Sequence, residues 1–291
     1  MDRFKIDIGR SVDKIYHFAD IHIRNLKRHK EYRQVFDKLY DELKRTVTDN
    51  SLIYLGGDIV HAKTDMSPEL IDMVQDFFKN LADIAPTILI AGNHDCNLNN
   101  ESRLDALTPI VKALNHDNFH YLSVWSIFDK EENFIDPKNV QGEHKIVLFH
   151  GCVNNSQTDY GFELENTKVT MDMFEGCDLG LLGDIHLHQF LDKQQRIGYS
   201  SSLIQQNHGE HIDNHGYLVW DLNDYSYQFI DADNDYGYVT LEVDCGEIVE
   251  TSKIPRKPRL RIKFSETDAA DIKKIVAEIK AKYEVQDVVL N

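Results

Sequence analysis

The stretch KIYHFADIH, Lys14 to His22, joins a short apolar run to two side chains that commonly bind metals. Lys14–Phe18 has the length and composition of a buried strand, and Asp20 and His22 follow it at once. In α/β sheets, sites assemble at the carboxyl ends of strands. If this stretch belongs to such a site, other strands of the chain should end in the same way.

Four further apolar runs meet that expectation and are predicted to be buried strands: SLIYL (51–55), TILIA (87–91), KIVLF (145–149) and DLGLL (178–182). Polar residues of ligand type follow each run. They are Asp58 and His61, then Asn93, His94 and Asp95, then His150, and finally Asp184 and His186. Singly, a D-x-H or a G-D is usually a turn, and a lone histidine is usually structural. Five such coincidences in one chain indicate a common site.

The segments between the first strands have helical periodicity. Apolar residues recur on one face from Tyr32 to Val47. Ser67 followed by Pro68 is a typical helix start, and its apolar face continues to Leu81. Strands that alternate with helices predict a layered α/β domain.

From about Gly198 the chain becomes rich in strands, with GYLVWDL, SYQFIDA and GYVTLEV in succession. A basic stretch with Pro255 and Pro258 follows. After it come a strand (RLRIKF), a helix that begins near Thr267 or Asp268, and a strand (DVVL). We expect one domain over residues 1–252 and part of a second over residues 253–291.

The composition narrows the class of protein. The formal net charge of −17 argues against a DNA binder that acts alone by electrostatic attraction. That sum counts every carboxylate as negative, although bound divalent cations would reverse the local charge of the carboxylates that hold them. No apolar stretch is long enough to span a bilayer, so we expect no membrane contact. The four cysteines form no C-x-x-C pair, which favours a reducing compartment.

In the order D-x-H, G-D, G-N-H-D, H-G and G-D-x-H, the motifs resemble those of the calcineurin-like metallophosphoesterases. Within them the chain is similar to SbcD-type DNA double-strand-break repair nucleases, especially recombination endonuclease subunits of phages and large viruses. GGDIVHAKTDMSPEL, SSLIQQNHGE and HGYLVWDL carry this narrower similarity, which covers roughly residues 14 to 264. The resemblance implies a layered β-sandwich flanked by helices, followed by the start of a small α+β capping domain.

The resemblance also implies a site with two divalent metal ions. One ion would be bound by Asp20, His22 and His186, the other by Asn93, His150 and Asp184, and Asp58 would bridge them. Two ions about 3.5–4 Å apart suit in-line cleavage of a phosphodiester. His94, oriented by Asp95, would stabilise the phosphate or protonate the leaving oxygen, and His61 would contact the scissile phosphate.

One position departs from the family. The family usually has G-H-x-H where this chain has Gly183-Asp184-Ile185-His186, so a carboxylate replaces an imidazole. The harder oxygen ligand favours Mn²⁺ first and Mg²⁺ second over Zn²⁺. We expect that His188 does not bind a metal. The alternative is that His188, and not Asp184, is the ligand.

The resemblance implies an exonuclease on duplex DNA and an endonuclease on single strands, acting in recombination, repair or replication. An SbcC-type coiled-coil ATPase would be its partner, and we expect a homodimer in the cytoplasm of a bacterium or of a phage- or virus-infected cell. Arg24, Lys27 and Arg28, in the basic segment after the first motif, are candidate DNA contacts. A solvated charged face explains that segment equally well.

Two other functions stay open. A generic or cyclic-nucleotide phosphodiesterase would use the same scaffold, and His61 together with SSLIQQNHGE favours the nuclease. Protein phosphatases of the superfamily carry an arginine soon after the second motif and G-N-H-E in the third, and both are absent from this sequence. A scaffold module without metals is the second alternative. Such modules lose several ligands, whereas here one ligand is changed to another type.

Overall fold

The computed structural model describes residues 6–97, 100, 103–122, 134–251 and 253–291. Within them the strands are β1 (Lys14–Phe18), β2 (Ser51–Leu55), β3 (Thr87–Ile90), β4 (Phe119–Leu122), β5 (Ile146–His150), β6 (Leu179–Gly183), β7 (Gln189–Phe190), β8 (Ile197–Tyr199), β9 (Gly216–Asp221), β10 (Tyr227–Asp231), β11 (Tyr236–Asp244), β12 (Glu247–Thr251), β13 (Lys257–Ser265) and β14 (Asp287–Leu290). The α-helices are α1 (His29–Thr46), α2 (Pro68–Ile84), α3 (Thr108–Leu114) and α4 (Ala269–Lys282).

The first sheet has six strands in the order β10-β9-β1-β2-β3-β4, and β1 to β4 run parallel. Side chains alternate between its faces. On one face, Tyr16 and Phe18 of β1 pack against α1, α2 and α3. Helix α2 begins as the sequence predicts, because the hydroxyl of Ser67 caps it by accepting the amide of Leu70.

The second sheet, in the order β5-β6-β8-β7, covers the opposite face. Leu179 and Leu181 of β6 pack against Ile15 of β1 and Trp220 of β9 to form the core between the sheets. The predicted layered β-sandwich flanked by helices is therefore confirmed. The five strands that end in polar residues do not form one sheet, since β1, β2 and β3 belong to the first and β5 and β6 to the second.

The third sheet lies at the end of the chain, in the order β12-β11-β13-β14, and α4 packs on it. The predicted β-α-β unit is present as β13, α4 and β14, and the carboxylate of Asp268 caps the helix. β13 pairs along its whole length with β11, so this sheet begins at Tyr236, before the boundary expected at residues 252/253. The division into domains stays a prediction. No helix in the described part of the chain is long and apolar enough to cross a membrane.

Candidate metal centre

The carboxyl ends of β1 and β6 bring the first group of donors together. The Nε2 atoms of His22 and His186 lie 2.9 Å apart, and Asp20 Oδ1 lies 4.0 Å from His22 Nε2. One donor atom from each of these three residues lies within 4.8 Å of the others. Asp20, His22 and His186 are the three ligands that the resemblance implies for the first ion.

Asp58, just after β2, faces both halves of the cluster. Its Oδ2 lies 3.6 Å from His22 Nε2, and its Oδ1 lies 3.3 Å from His150 Nε2. The carboxylate is almost completely buried. Each oxygen of the carboxylate thus faces a different imidazole, as a bridging ligand requires.

The second half of the cluster contains His150, Asn93 and Asp184. His150 Nε2 lies 3.7 Å from Asp184 Oδ1. Asn93 Nδ2 donates to that same oxygen at 2.8 Å, which leaves the amide oxygen of Asn93 for another partner. Cys152 Sγ donates to the other oxygen of Asp184 at 2.9 Å. Two donors therefore fix the carboxylate that replaces the family's imidazole.

The backbone is strained where these side chains leave it. Asp20, His22, Asp58 and Asp184 all have positive φ, at 55°, 49°, 53° and 102°. Non-glycine residues rarely adopt such angles, and the strain costs of order 1–3 kcal/mol at each. Strain of this kind persists where the surrounding structure fixes it. Other described residues also have positive φ, but these four are all candidate ligands.

Glycines in the motifs let these loops approach one another. A Cβ on Gly92 would lie 2.1 Å from Asp58 Oδ1, and a Cβ on Gly183 would lie 2.4 Å from the carbonyl oxygen of Gly56. Neither contact is possible. The glycine of G-N-H-D and the glycine of G-D-I-H are therefore required for the donors to converge.

Charges in the cluster perturb one another strongly. Burial raises the pKa of Asp20 to about 7, and the carboxylates of Asp58 and Asp184 add to that rise. Burial opposes protonation of His150, but Asp58 and the other carboxylates outweigh it and raise the pKa to about 10. Although burial also opposes its ionisation, His150 and His22 hold the pKa of Asp58 below its usual range. Three carboxylates packed this closely require positive charge beside them.

The donor set fits divalent cations. Two ligands about 2.0–2.1 Å from one ion and at right angles to each other lie about 2.8–3.0 Å apart. The two Nε2 atoms of His22 and His186 have that separation. His150 donates its Nδ1–H to the carbonyl of Gly56 at 2.7 Å, which leaves Nε2 buried and without a hydrogen-bond partner. An imidazole fixed in this way by its other nitrogen is typical of metal-binding histidines.

His94 and His61 lie at the open side of the first group. His94 donates its Nδ1–H to the carbonyl of His61 at 2.6 Å, and its Nε2 lies 4.0 Å from Asp58 Oδ2. The side chain of His94 is 41% exposed, so a substrate can reach it. The ring nitrogens of His22, His61 and His94 also lie within 4.8 Å of one another.

The carboxylate of Asp95 does not bond His94, as the resemblance implies, but backbone amides. Its buried carboxylate accepts the backbone amides of Gly92, Val60 and Ile59 at 2.9, 3.0 and 3.2 Å. The carbonyl of His61, and not Asp95, therefore orients His94. The carboxylate ties the loop after β3 to the loop after β2 because amides of both loops point at it.

The three basic residues proposed for DNA contact differ in position. Arg24 donates to His61 Nε2 at 3.0 Å, beside the donor cluster, and Lys27 is exposed. Arg28 is buried: it donates to both oxygens of Glu31 at 2.9 Å and to the carbonyl of Gln205 at 2.7 Å. These bonds occupy its guanidinium, which argues against a DNA contact by Arg28, and that contact stays a prediction.

His188 lies in the loop just before β7 and belongs to none of the donor groups found among the described residues. Its Nδ1 donates to the carbonyl of Tyr199 at 3.0 Å, and its ring stacks on Phe229 with a centroid distance of 4.4 Å. The imidazole is therefore part of the packing between the two sheets. Its position favours Asp184 over His188 as the ligand.

Glu210 is a site residue that sequence reasoning missed. Its Oε1 accepts His186 Nδ1–H at 3.0 Å, and with Asp20 it raises the pKa of His186 to about 9 against the effect of burial. The residue lies in a loop that has no periodic pattern. The available signal was its place in SSLIQQNHGE, a polar run in which this carboxylate is the only acid.

Comparison with known proteins identifies the class. The model of the calcineurin-like phosphoesterase family matches residues 13–230, so the chain belongs to that family. Members that hydrolyse phosphoesters do so with divalent metals, and the donor cluster can hold such ions.

Two viral proteins are similar to the chain. It is 40% identical, over 312 aligned positions, to "Uncharacterized protein R555" of Acanthamoeba polyphaga mimivirus. That alignment covers 99% of this chain but 23% of the relative, so the chain spans about a quarter of that protein's length. It is also 24% identical over 193 positions to "Putative phosphoesterase 244L" of Invertebrate iridescent virus 6, covering 62% of this chain and 68% of that protein.

Proposed function

We propose that the chain is a metal-dependent nuclease that hydrolyses phosphodiester bonds of DNA. It acts as an exonuclease on duplex DNA and as an endonuclease on single strands, in recombination, repair or replication. The observation that supports this most strongly is the sharing of Asp58 between two donor groups, with His94 at the open side. That arrangement suits a phosphate held by two ions and approached by an imidazole.

The preferred ion is Mn²⁺, followed by Mg²⁺, because three carboxylates contribute hard oxygen ligands. When bound, the ions would neutralise the phosphate oxygens and supply the hydroxide. Asp20, His22 and His186 would hold one ion, Asn93, His150 and Asp184 the other, and Asp58 both.

His94 would handle the proton. Its Nδ1–H is committed to the carbonyl of His61, which fixes the ring and leaves Nε2 facing the space beside Asp58. A proton on Nε2 can bind a phosphate oxygen or pass to the leaving oxygen, a contribution worth roughly 10²–10⁴-fold in rate. Burial and the neighbouring Arg24 lower the pKa of His61 to about 4. His61 is therefore neutral near pH 7, and it would contact the phosphate by hydrogen bonding.

Arg24 supports a nucleic acid as the substrate. Its partners in the described residues are His61 and the carbonyl of Gln206, and both are neutral. The positive charge is thus available to a phosphate beside the one that is cleaved. Lys27, exposed on the same segment, extends this contact. A substrate with one phosphate would use neither residue.

We also propose the partners that the family resemblance suggests. An SbcC-type coiled-coil ATPase would supply much of the grip on DNA, which is consistent with a chain whose net charge is −17. A homodimer would present two sites to one DNA molecule. Co-purification with the ATPase from the source genome, followed by light scattering, tests both assemblies.

The test of function is hydrolysis of linear duplex DNA and single-stranded DNA with Mn²⁺, alongside bis-p-nitrophenyl phosphate and p-nitrophenyl phosphate. We expect cleavage of both DNAs and of the diester, and its loss with EDTA or in Asp58→Asn. Cleavage of the diester alone would indicate a small-molecule phosphodiesterase. Failure on every substrate, together with the absence of bound metal, would indicate the scaffold module without metals.

A further inference from the structure

A short hairpin stands beside the donor cluster. Gln157 and Glu163 form an antiparallel bridge, and the amide of Gly161 donates to the carbonyl of Thr158 at 2.8 Å to close the turn. The amide of Thr158 also donates to the carbonyl of Phe162 at 2.9 Å. The side chain of Gln189, the first residue of β7, bonds the backbone of Gln157 at 2.7 and 2.9 Å. The hairpin is therefore a preformed element.

Two aromatic side chains project from this hairpin into solvent. Tyr160 is 63% exposed and Phe162 is 69% exposed. Exposure of a single apolar residue needs no explanation, but two large aromatic rings within three positions of one tight turn do.

Hydrogen bonds connect the hairpin to the candidate ligand His186. Tyr160 Oη donates to Asn207 Oδ1 at 3.1 Å, and Asn207 Nδ2 donates to Glu210 Oε1 at 2.8 Å. That oxygen also accepts His186 Nδ1–H at 3.0 Å. A Cβ on Gly209 would lie 2.0 Å from Tyr160 Oη, so the glycine of N-H-G-E is needed for the ring to lie there.

We propose that Tyr160 and Phe162 form a platform on which unpaired bases of the substrate stack, next to the phosphate that is cleaved. This inference rests on the proposed nuclease function and names the substrate as a strand with exposed bases. The hairpin also carries Asp159 and Glu163, and Glu165 follows it; these carboxylates repel phosphates. The hairpin can therefore contribute to binding only through contacts with the bases, while Arg24 contacts the phosphates. Stacking of a base on an aromatic side chain is worth about 1–3 kcal/mol.

The test is binding of fluorescent oligonucleotides with Ca²⁺ in place of Mn²⁺, measured by anisotropy. The probes are an oligothymidylate and an abasic strand of the same length, about twelve nucleotides. We expect the wild type to bind the oligothymidylate more tightly than the abasic strand. Phe162→Ala should weaken binding of the oligothymidylate about 5- to 150-fold and leave the abasic strand unaffected. Its salt dependence should stay that of the wild type because no phosphate contact is lost.

Two variants control for indirect effects. Tyr160→Phe keeps the ring but loses the bond to Asn207, so it should retain binding. Phe264→Ala removes an aromatic ring that is 42% exposed on the third sheet and should change neither affinity. Equal binding of the two strands by the wild type, or an unchanged affinity in Phe162→Ala, would overturn the platform. Either result is expected if the two aromatic side chains bind a protein partner and not the bases of DNA. Hydrolysis of DNA by the wild type is measured separately, so loss of the platform and loss of the nuclease function are distinguishable.

Discussion

Glu210→Gln tests whether a side chain outside the ligand set controls the metal centre. The buried carboxylate of Glu210 accepts three N–H groups: His186 Nδ1 and Asn207 Nδ2 on Oε1, and the amide of Gln206 on Oε2 at 2.5 Å. A glutamine has the same shape but one acceptor oxygen. In either orientation its NH₂ group faces a donor.

The two orientations have different costs. If the amide oxygen stays with Gln206, the NH₂ group faces His186 Nδ1, which must lose its proton and carry it on Nε2, the nitrogen that would bind the ion. If the oxygen turns to His186, the buried amide of Gln206 is left without a partner at a cost of about 1–3 kcal/mol. Loss of a carboxylate behind a metal-binding histidine typically weakens metal binding 10- to 100-fold, or about 1.4–2.7 kcal/mol.

The assay is calorimetric titration of metal-free protein with Mn²⁺, with native mass spectrometry to count the ions. We expect one of two ions to bind 10- to 100-fold more weakly in Glu210→Gln, and the other to be unchanged. Glu242→Gln, which removes an exposed carboxylate paired with Lys263 at 3.4 Å, is the matched control and should bind both ions normally. A folded Glu210→Gln protein with two wild-type affinities would refute the role of this carboxylate.

Three further changes test the other side chains of the site. His94→Ala should keep both ions in elemental analysis, while turnover of bis-p-nitrophenyl phosphate falls about 10²- to 10⁴-fold, and loss of an ion would make His94 a ligand. Arg24→Gln should reduce the slope of log affinity for DNA against log salt by about one and leave hydrolysis of bis-p-nitrophenyl phosphate unchanged. Arg28→Gln should instead lower the free energy of unfolding, measured in urea, by about 3 kcal/mol because it breaks a buried ion pair. Asp184→His should bind two ions with a preference shifted from Mn²⁺ towards Zn²⁺ in competition titrations, and an unchanged preference would count against ligation by residue 184.

The sequence predicts the strands and their polar ends because both are local properties. Lys14–Phe18 and Ser51–Leu55 are strands with the predicted bounds, and α2 begins at the predicted Ser67 cap. Which sheet each strand joins is not local. β9 pairs with β1, Lys14 opposite Asp221, across most of the chain, and β5 and β6 form the opposite layer. Apolar runs of similar length carry no mark that assigns them to one sheet or the other.

The role of a polar residue also depends on contacts that the sequence does not show. Asp95 follows His94 directly, yet its carboxylate turns inward to backbone amides. Arg28 lies in a basic run, which suggests a surface for phosphates. Glu31, three residues later in the first turn of α1, pairs with it instead. That spacing is visible in the sequence and could have identified the pair.

The orientation of His186 depends on residues from distant parts of the chain. Arg259 of β13 lies 2.7 Å from Glu31 Oε2, so Glu31 pairs with Arg259 as well as with Arg28. Arg28 in turn bonds the carbonyl of Gln205, in the loop that presents Glu210 to His186. Removal of one member of a buried ion pair leaves its partner's charge uncompensated at a cost of several kcal/mol, so these groups keep their positions together. Buried polar contacts therefore connect the third sheet to a candidate ligand, and a change in the position of β13 would act on the imidazole through Glu31, Arg28 and the loop.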